Sequence, residues 1–357
     1  MKLIHKIDKL IYLSLFASLF VFIIYACSDD TKITEPNPED NYDYLTVPEH
    51  FPPIPFPENN PYSYEKVELG RFLYYDNILT NDPSIKSCSH CLKQSNAFCD
   101  NKNVSIGFMD EPEHRNAMSL ANAAYRNTLF WDGRGTAIEQ PAYRSIFLFA
   151  IFGSDTNVVN QKLQASPMYQ SMFKKAFGEN AVPSSFLASQ AIATFVRTFV
   201  SANSRYDQYL LGKKDALNES EKRGMELFFS ERTRCSVCHS GFLFTDLSFH
   251  NTGVNTHYFD RGRFLITGIQ SDRGKFLTPT LRNIELTAPY MHDGQLLTLE
   301  AIIEHYNSGG KPFINKDTLM RPLFLTDTEK QDLINFLKSL TDWELINNPK
   351  FKNPHLN

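Results

Sequence analysis

Apolar residues recur at helical spacing along much of the chain. Phe186, Leu187, Ala191, Ile192, Phe195, Val196 and Phe199 follow Pro183-Ser184-Ser185 at roughly helical intervals, which predicts a helix opened by a serine. Asn218 with Glu221 forms a capping-box signature before Met225, Leu227 and Phe228. Thr326 with Glu329 repeats it before Leu333, Phe336, Leu337 and Leu340, whose spacing places all four on one buried stripe. In a helix starting near Thr298, Leu299, Ile302, Ile303 and Tyr306 share one inward face. Few segments alternate with period two. The expected fold is mainly α with long loops. It divides into two modules, 65–215 and 216–345, each opening near a Cys-x-x-Cys, and ends in a tail over 346–357.

The first residues read as a processing signal. Lys2, Lys6 and Lys9 precede an apolar run from Leu10 to Ala26 that is interrupted by Ser14 and Ser18. Ala26-Cys27 is followed at once by Ser28-Asp29-Asp30 and resembles a bacterial lipoprotein cleavage site, so residues 1–27 are the expected signal peptide and Cys27 the lipidated residue. The rival reading is an uncleaved membrane anchor, since the run approaches spanning length. Either reading places the chain beyond the inner membrane, as a periplasmic or outer-membrane lipoprotein of the cell envelope or as an anchored protein. Residues 28–64 are polar and rich in proline and read as an extended linker.

Composition adds two limits. Lys plus Arg is 36 against 40 Asp plus Glu, and no basic block stands out, which sets nucleic-acid binding aside. The 29 Phe suit an aromatic core and equally suit a wall around a flat apolar macrocycle.

Cys235-Ser236-Val237-Cys238-His239 carries the chemistry. In a Cys-x-x-Cys-His motif, two thiols add across the haem vinyl groups and the next residue offers an imidazole to the iron. Zinc would need two further ligands, and this module has no other cysteine. Covalent haem c is therefore expected, on a chain that matures outside the cytoplasm. Spacing leaves two candidates for the sixth iron ligand. One is Tyr306; the other is Met291, a thioether of the kind usual in electron-transfer c-type haems.

Taken together, several segments resemble the bacterial di-haem cytochrome c peroxidase family, including its MauG-like branch. They are Leu69-Gly70-Arg71-Phe72-Leu73-Tyr74-Tyr75-Asp76, Arg115-Asn116, Phe130-Trp131-Asp132-Gly133-Arg134 and Arg197-Thr198-Phe199-Val200-Ser201, followed by the Cys235–His239 motif, Leu277-Thr278-Pro279-Thr280-Leu281-Arg282-Asn283 and Pro289-Tyr290-Met291-His292-Asp293-Gly294. The resemblance covers most of 65–345 and implies two cytochrome c-like helical domains. It implies that His239 is the proximal ligand of the electron-accepting haem and Trp131 an indole between two haems. It moves the sixth ligand from Met291 to Tyr306. Asn116 with the carbonyls of Thr287 and Pro289 resembles an interdomain calcium site, oxygen donors that suit a hard cation. The implied partners are a small redox donor protein or quinol-linked cytochrome, peroxide, and a second copy in a homodimer.

At the first haem site the sequence departs from the family. Where the family has Cys-x-x-Cys-His, this chain has Cys88-Ser89-His90-Cys91-Leu92, followed by Ala97-Phe98-Cys99-Asp100-Asn101. Leu92 cannot bind iron. The family's distal glutamate would fall near Ile151 by counting from Trp131. Three readings of Cys88 and Cys91 stay open: a disulfide or vestigial thiols, a haem with Lys93 or His90 as substitute ligand, and a metal site with His90 and Cys99. Peroxide reduction, or MauG-like oxidation of a partner protein, needs a competent first haem, so both are expected to be impaired. The alternative is a mono-haem, membrane-tethered electron-transfer protein.

Overall fold

The computed structural model of the chain describes residues 42–80, 87–106, 112–140, 142 and 155–356. Residues 1–41, including Cys27, lie outside them, as does Ile151. Helix α1 (Tyr64–Tyr75) begins where the Ser63 side chain accepts from the Lys66 N–H. It packs against the helix foreseen after Pro183, which the Ser184 side chain caps and which runs Ser185–Arg197. Between the two, α2 (Thr156–Ala165) and α3 (Pro167–Phe177) cover the flank. The capped helix is thus α4, and α5 (Arg205–Leu210) follows it.

In the second half α6 (Glu219–Phe228) packs on α10 (Asp327–Lys338), and both capping boxes form as expected. Between them lie α7 (Cys235–Cys238), α8 (Phe264–Thr267) and α9 (Leu299–Ser308), and α11 (Trp343–Asn347) follows. Among the described residues the only sheet is an antiparallel ribbon of β1 (Phe249–His250) and β2 (Phe276–Leu277). The expected mainly α fold is what the structure has.

The two halves repeat one plan. In each, a glycine lets two helices touch backbone to backbone. A Cβ on Gly70 would overlap the Ala191 carbonyl and crowd the Phe195 Cβ; one on Gly224 would overlap the Asp332 carbonyl and crowd the Phe336 Cβ. Ala191 and Phe195, like Asp332 and Phe336, stand one turn apart, so the same pair of ridges meets the glycine in both halves. An asparagine then turns the chain in the left-handed region, Asn122 in one half and Asn283 in the other. Nine residues after each comes the centre of a matching loop, Phe130-Trp131-Asp132-Gly133 or Met291-His292-Asp293-Gly294, with φ of 65° at Phe130 and 74° at Met291.

Each half also has its own apolar core. The first gathers Phe72, Tyr74, Phe98, Phe195 and Phe199, with the Phe98 and Phe199 rings stacked at 3.7 Å. The second gathers Phe228, Phe244, Leu333, Phe336 and Leu337. All four positions of the expected stripe, Leu333, Phe336, Leu337 and Leu340, are buried. Phe186 is the exception in α4 and lies 55% exposed.

Residues from the linker and from the tail pack against the first half. In the 28–64 stretch, Tyr44 and Phe51 are buried, and the Tyr44 hydroxyl donates to Glu68 at 2.5 Å. In the 346–357 tail, Phe351 belongs to the first core, and Arg71 donates to the Lys352 carbonyl at 3.0 Å. Isolated aromatics without periodicity leave no trace in the apolar pattern, so these contacts have no signal in the sequence.

Candidate haem site

The Cys-x-x-Cys-His motif folds as one helical turn. Arg234 enters it in the left-handed region (φ 53°), and the His239 N–H closes it on the Cys235 carbonyl at 2.9 Å. The His239 Nδ1 stands 3.0 Å from the Phe244 carbonyl. A carbonyl only accepts, so Nδ1 carries the proton and the Nε2 lone pair is left for a ligand. Burial pushes the imidazole pKa down, which keeps the ring neutral. Phe244 turns back at φ 53° to present that carbonyl.

Cys235, Cys238 and His239 all open on one cavity of about 1730 Å³, counting its open mouth. Phe228, Ile302, Ile303, Leu333 and Leu337 supply apolar wall. Two thiols, a neutral imidazole with a free nitrogen and a largely apolar lining fit haem c.

Both candidates for the sixth ligand reach this cavity. Tyr306 comes from α9, whose Leu299, Ile302 and Ile303 are buried in the second core. Its hydroxyl makes no hydrogen bond to a described residue, and burial, with the sulfurs of Cys235 and Cys238 nearby, pushes its pKa up. Met291 lines the cavity from its left-handed loop position.

Trp131 also lines the cavity and is 9% exposed. Its indole N–H donates to the Asn116 carbonyl at 2.9 Å, and its own carbonyl accepts from Leu277 at 2.8 Å. Asn116, Thr287 and Pro289 reach the same cavity. The Asn116 amide nitrogen donates to the Lys102 carbonyl at 2.9 Å, which turns its oxygen toward other partners.

The first site is different in kind. Cys88 and His90 lie in a single 3₁₀ turn (Cys88–His90). Leu92, at the place His239 holds in the second half, packs against the first core, and its carbonyl accepts from the Tyr74 hydroxyl at 2.6 Å. His90 and Lys93 are both exposed. Cys88, Cys91 and Cys99 are free thiols. Burial pushes their pKa values to about 12, about 11 and about 12, so none is a thiolate near neutrality. With His90 they do not converge on a metal position; among the described residues the only such convergence is Cys238, Asp246 and His250.

Two features of the cavity carry no sequence signal. His250 stands between carboxylates, Nδ1 at 2.6 Å from Asp317 and Nε2 at 2.8 Å from Asp246. Contact with Cys238, then with the two carboxylates, pushes its pKa up to about 10. Arg126 is the other, and is taken up below.

Set beside known proteins, residues 64–215 match the family model of the di-haem cytochrome c peroxidases. The methylamine utilization protein MauG of Methylorubrum extorquens is 35% identical over 288 residues, 80% of this chain and 81% of that protein. The chain belongs to the di-haem cytochrome c peroxidase family. Within it, the cytochrome-c peroxidase IdrP1 of Pseudomonas sp. (strain SCT) is 34% identical over 322 residues, 81% of this chain and 84% of its own. Among solved structures, a MauG-like protein associated with microbial copper homeostasis superposes with a TM-score of 0.82 at 37% identity, covering 86% of this chain and 98% of that one. The diheme peroxidase BthA of Burkholderia thailandensis, at 22% identity and a TM-score of 0.68, shares the fold. Family membership brings haem c, redox chemistry and two cytochrome c-like helical domains.

Proposed function

We propose that this member of the family handles electrons at one haem, held by Cys235, Cys238 and His239, and that its peroxidatic site is disabled. One observation carries the reading. His239 offers a neutral imidazole nitrogen to the cavity, whereas Leu92 offers the first site no donor, and His90 and Lys93, the nearest substitutes, face solvent. The haem supplies one-electron chemistry when bound. Cys235 and Cys238 would hold it by two thioethers, His239, oriented by the Phe244 carbonyl, would offer it an imidazole nitrogen, and Tyr306 would offer a phenol from the same cavity. Trp131 would be the electron relay at the cavity wall, a role supported by its indole bond to the Asn116 carbonyl and its lining of the cavity.

Peroxide cleavage requires a haem with a strong proximal ligand and an open face, together with a proton shuttle. Oxidation of a partner protein in the manner of MauG requires the same. Neither is expected here. The natural partner is a small redox protein that meets the chain outside the cytoplasm. We read 65–215 and 216–345 as its two domains, and Cys27 as the lipid anchor to the envelope. A Cys27→Ala protein should then move from the membrane to the soluble fraction. Among the described residues no helix is long and apolar enough to cross a membrane. Asn116, Thr287 and Pro289 are the proposed calcium ligands, and elemental analysis should find about one calcium per chain, lost on chelation.

Haem counting decides the main question. Protein matured with a c-type attachment system should show one haem per chain by pyridine haemochrome and intact mass. The double variant Cys88→Ser, Cys91→Ser should leave that count unchanged. Two haems, one of them high-spin and reactive with peroxide, would overturn the proposal and restore the peroxidase reading.

A further inference from the structure

Arg126 is a buried charged side chain of the cavity to which the function above gives no role. It ends the 3₁₀ turn Ala123–Tyr125 that follows the left-handed Asn122, and its side chain is 8% exposed. One terminal nitrogen, Nη2, donates to the Ser119 carbonyl at 2.7 Å, whereas Nε has no partner. No described carboxylate forms an ion pair with it.

The other buried or half-buried cations around the cavity are matched. Arg282 meets Asp207, and His250 meets Asp246 and Asp317. A buried guanidinium with one of its donors idle is costly unless an anion joins it, and burial alone already pushes its pKa down to about 10. The flat fork of a guanidinium fits a carboxylate. Arg126 lines the same cavity as Cys235, Cys238 and His239, as do Asn116, Ser119 and Trp131. A haem brings two propionate carboxylates into that cavity.

We infer that Arg126 is a carboxylate-binding group of the haem cavity, and that its ligand is a propionate of the haem attached at Cys235–His239. The inference rests on the haem assignment above. It adds a cation that would hold a propionate and, through its charge, favour the reduced haem.

The test uses full-length holoprotein carrying Arg126→Gln and, separately, Arg126→Lys. Haem count and the low-spin spectrum are recorded first, because they report on the haem assignment alone. With both intact, the haem midpoint potential should fall in Arg126→Gln, and Arg126→Lys, which keeps the charge, should recover most of it. A misfolded Gln variant leaves the Lys variant and the wild type to be compared for the smaller shift of the same sign.

A free carboxylate is the other source of this chemistry, and acetate is the probe for it. If the potential is the same in all three proteins, but acetate raises the melting temperature of wild type and not of Arg126→Gln, the group binds carboxylates from solution and the propionate assignment falls. If the potential is unchanged and acetate does nothing to either protein, Arg126 binds no carboxylate and the whole inference is overturned.

Discussion

His239→Ala protein, matured with a c-type attachment system, will show no low-spin haem spectrum. Cys235 and Cys238 can still form both thioethers, so haem that is attached stays attached, yet the iron loses the one imidazole aimed at it. No described residue stands ready to replace it. His250 is locked between Asp246 and Asp317 and has no free lone pair, and His292 is stacked flat on Phe276 at 3.6 Å. Adding free imidazole should restore a low-spin spectrum, because the vacated space and the Phe244 carbonyl would accept it. A low-spin signal that survives without imidazole would show that another residue is the ligand. The companion substitution, Tyr306→Phe, should change the ferric spectrum and leave haem content alone; an unaltered spectrum would give the sixth position to Met291.

Replacing Asp207 by Ala should cost about 3–5 kcal/mol of stability, read as the shift in denaturant midpoint. Asp207 forms a two-pronged ion pair with Arg282, both contacts at 2.8 Å, and neither side chain is more than 1% exposed. Removing the carboxylate leaves a guanidinium buried without its counter-charge. Arg282 also donates to the Phe242 carbonyl at 2.5 Å, two residues before the Phe244 carbonyl that orients His239, so the loss should loosen the haem loop as well. Burial by itself would raise the Asp207 pKa, but hydrogen bonds and charge from Arg282, with help from Ser204, outweigh it and hold the pKa below the usual carboxylate value. A depressed folded pKa adds stability that is fully present above about pH 4 and lost as pH falls through the folded value. The gap between wild type and Asp207→Ala should therefore be flat near neutrality and shrink only in acid. A gap that is small at neutral pH would show that the pair does not hold the halves of this site in place.

What could be read in the sequence was what neighbours in the chain decide. The capping boxes at Asn218 and Thr326, the stripe through Leu333 and Leu340, and the one-turn haem motif each lie within a few residues. Tyr306 was legible as an inward position because its helix carries a clean period, and only the fold reveals that inward here means toward a cavity. His250 and Asp317 are 67 residues apart, and no local pattern joins them. Arg126 looks like any arginine after a turn until burial sets it apart. Tyr44 and Phe351 lie near opposite ends of the described chain, yet their rings come to 6.4 Å. Such pairings come from tertiary packing, which periodicity does not encode.

The paired glycines have a consequence for how each half tolerates change. At Gly70 and Gly224 alike, the helix pair meets backbone to backbone. This backbone contact in the first half lies between α1 and α4 and does not involve residue 92. Under the proposed reading, leucine at that position would change what the half can do while the helix pair keeps this contact. A chain built this way would present the Cys235–His239 centre in the same frame whether or not the first site is filled.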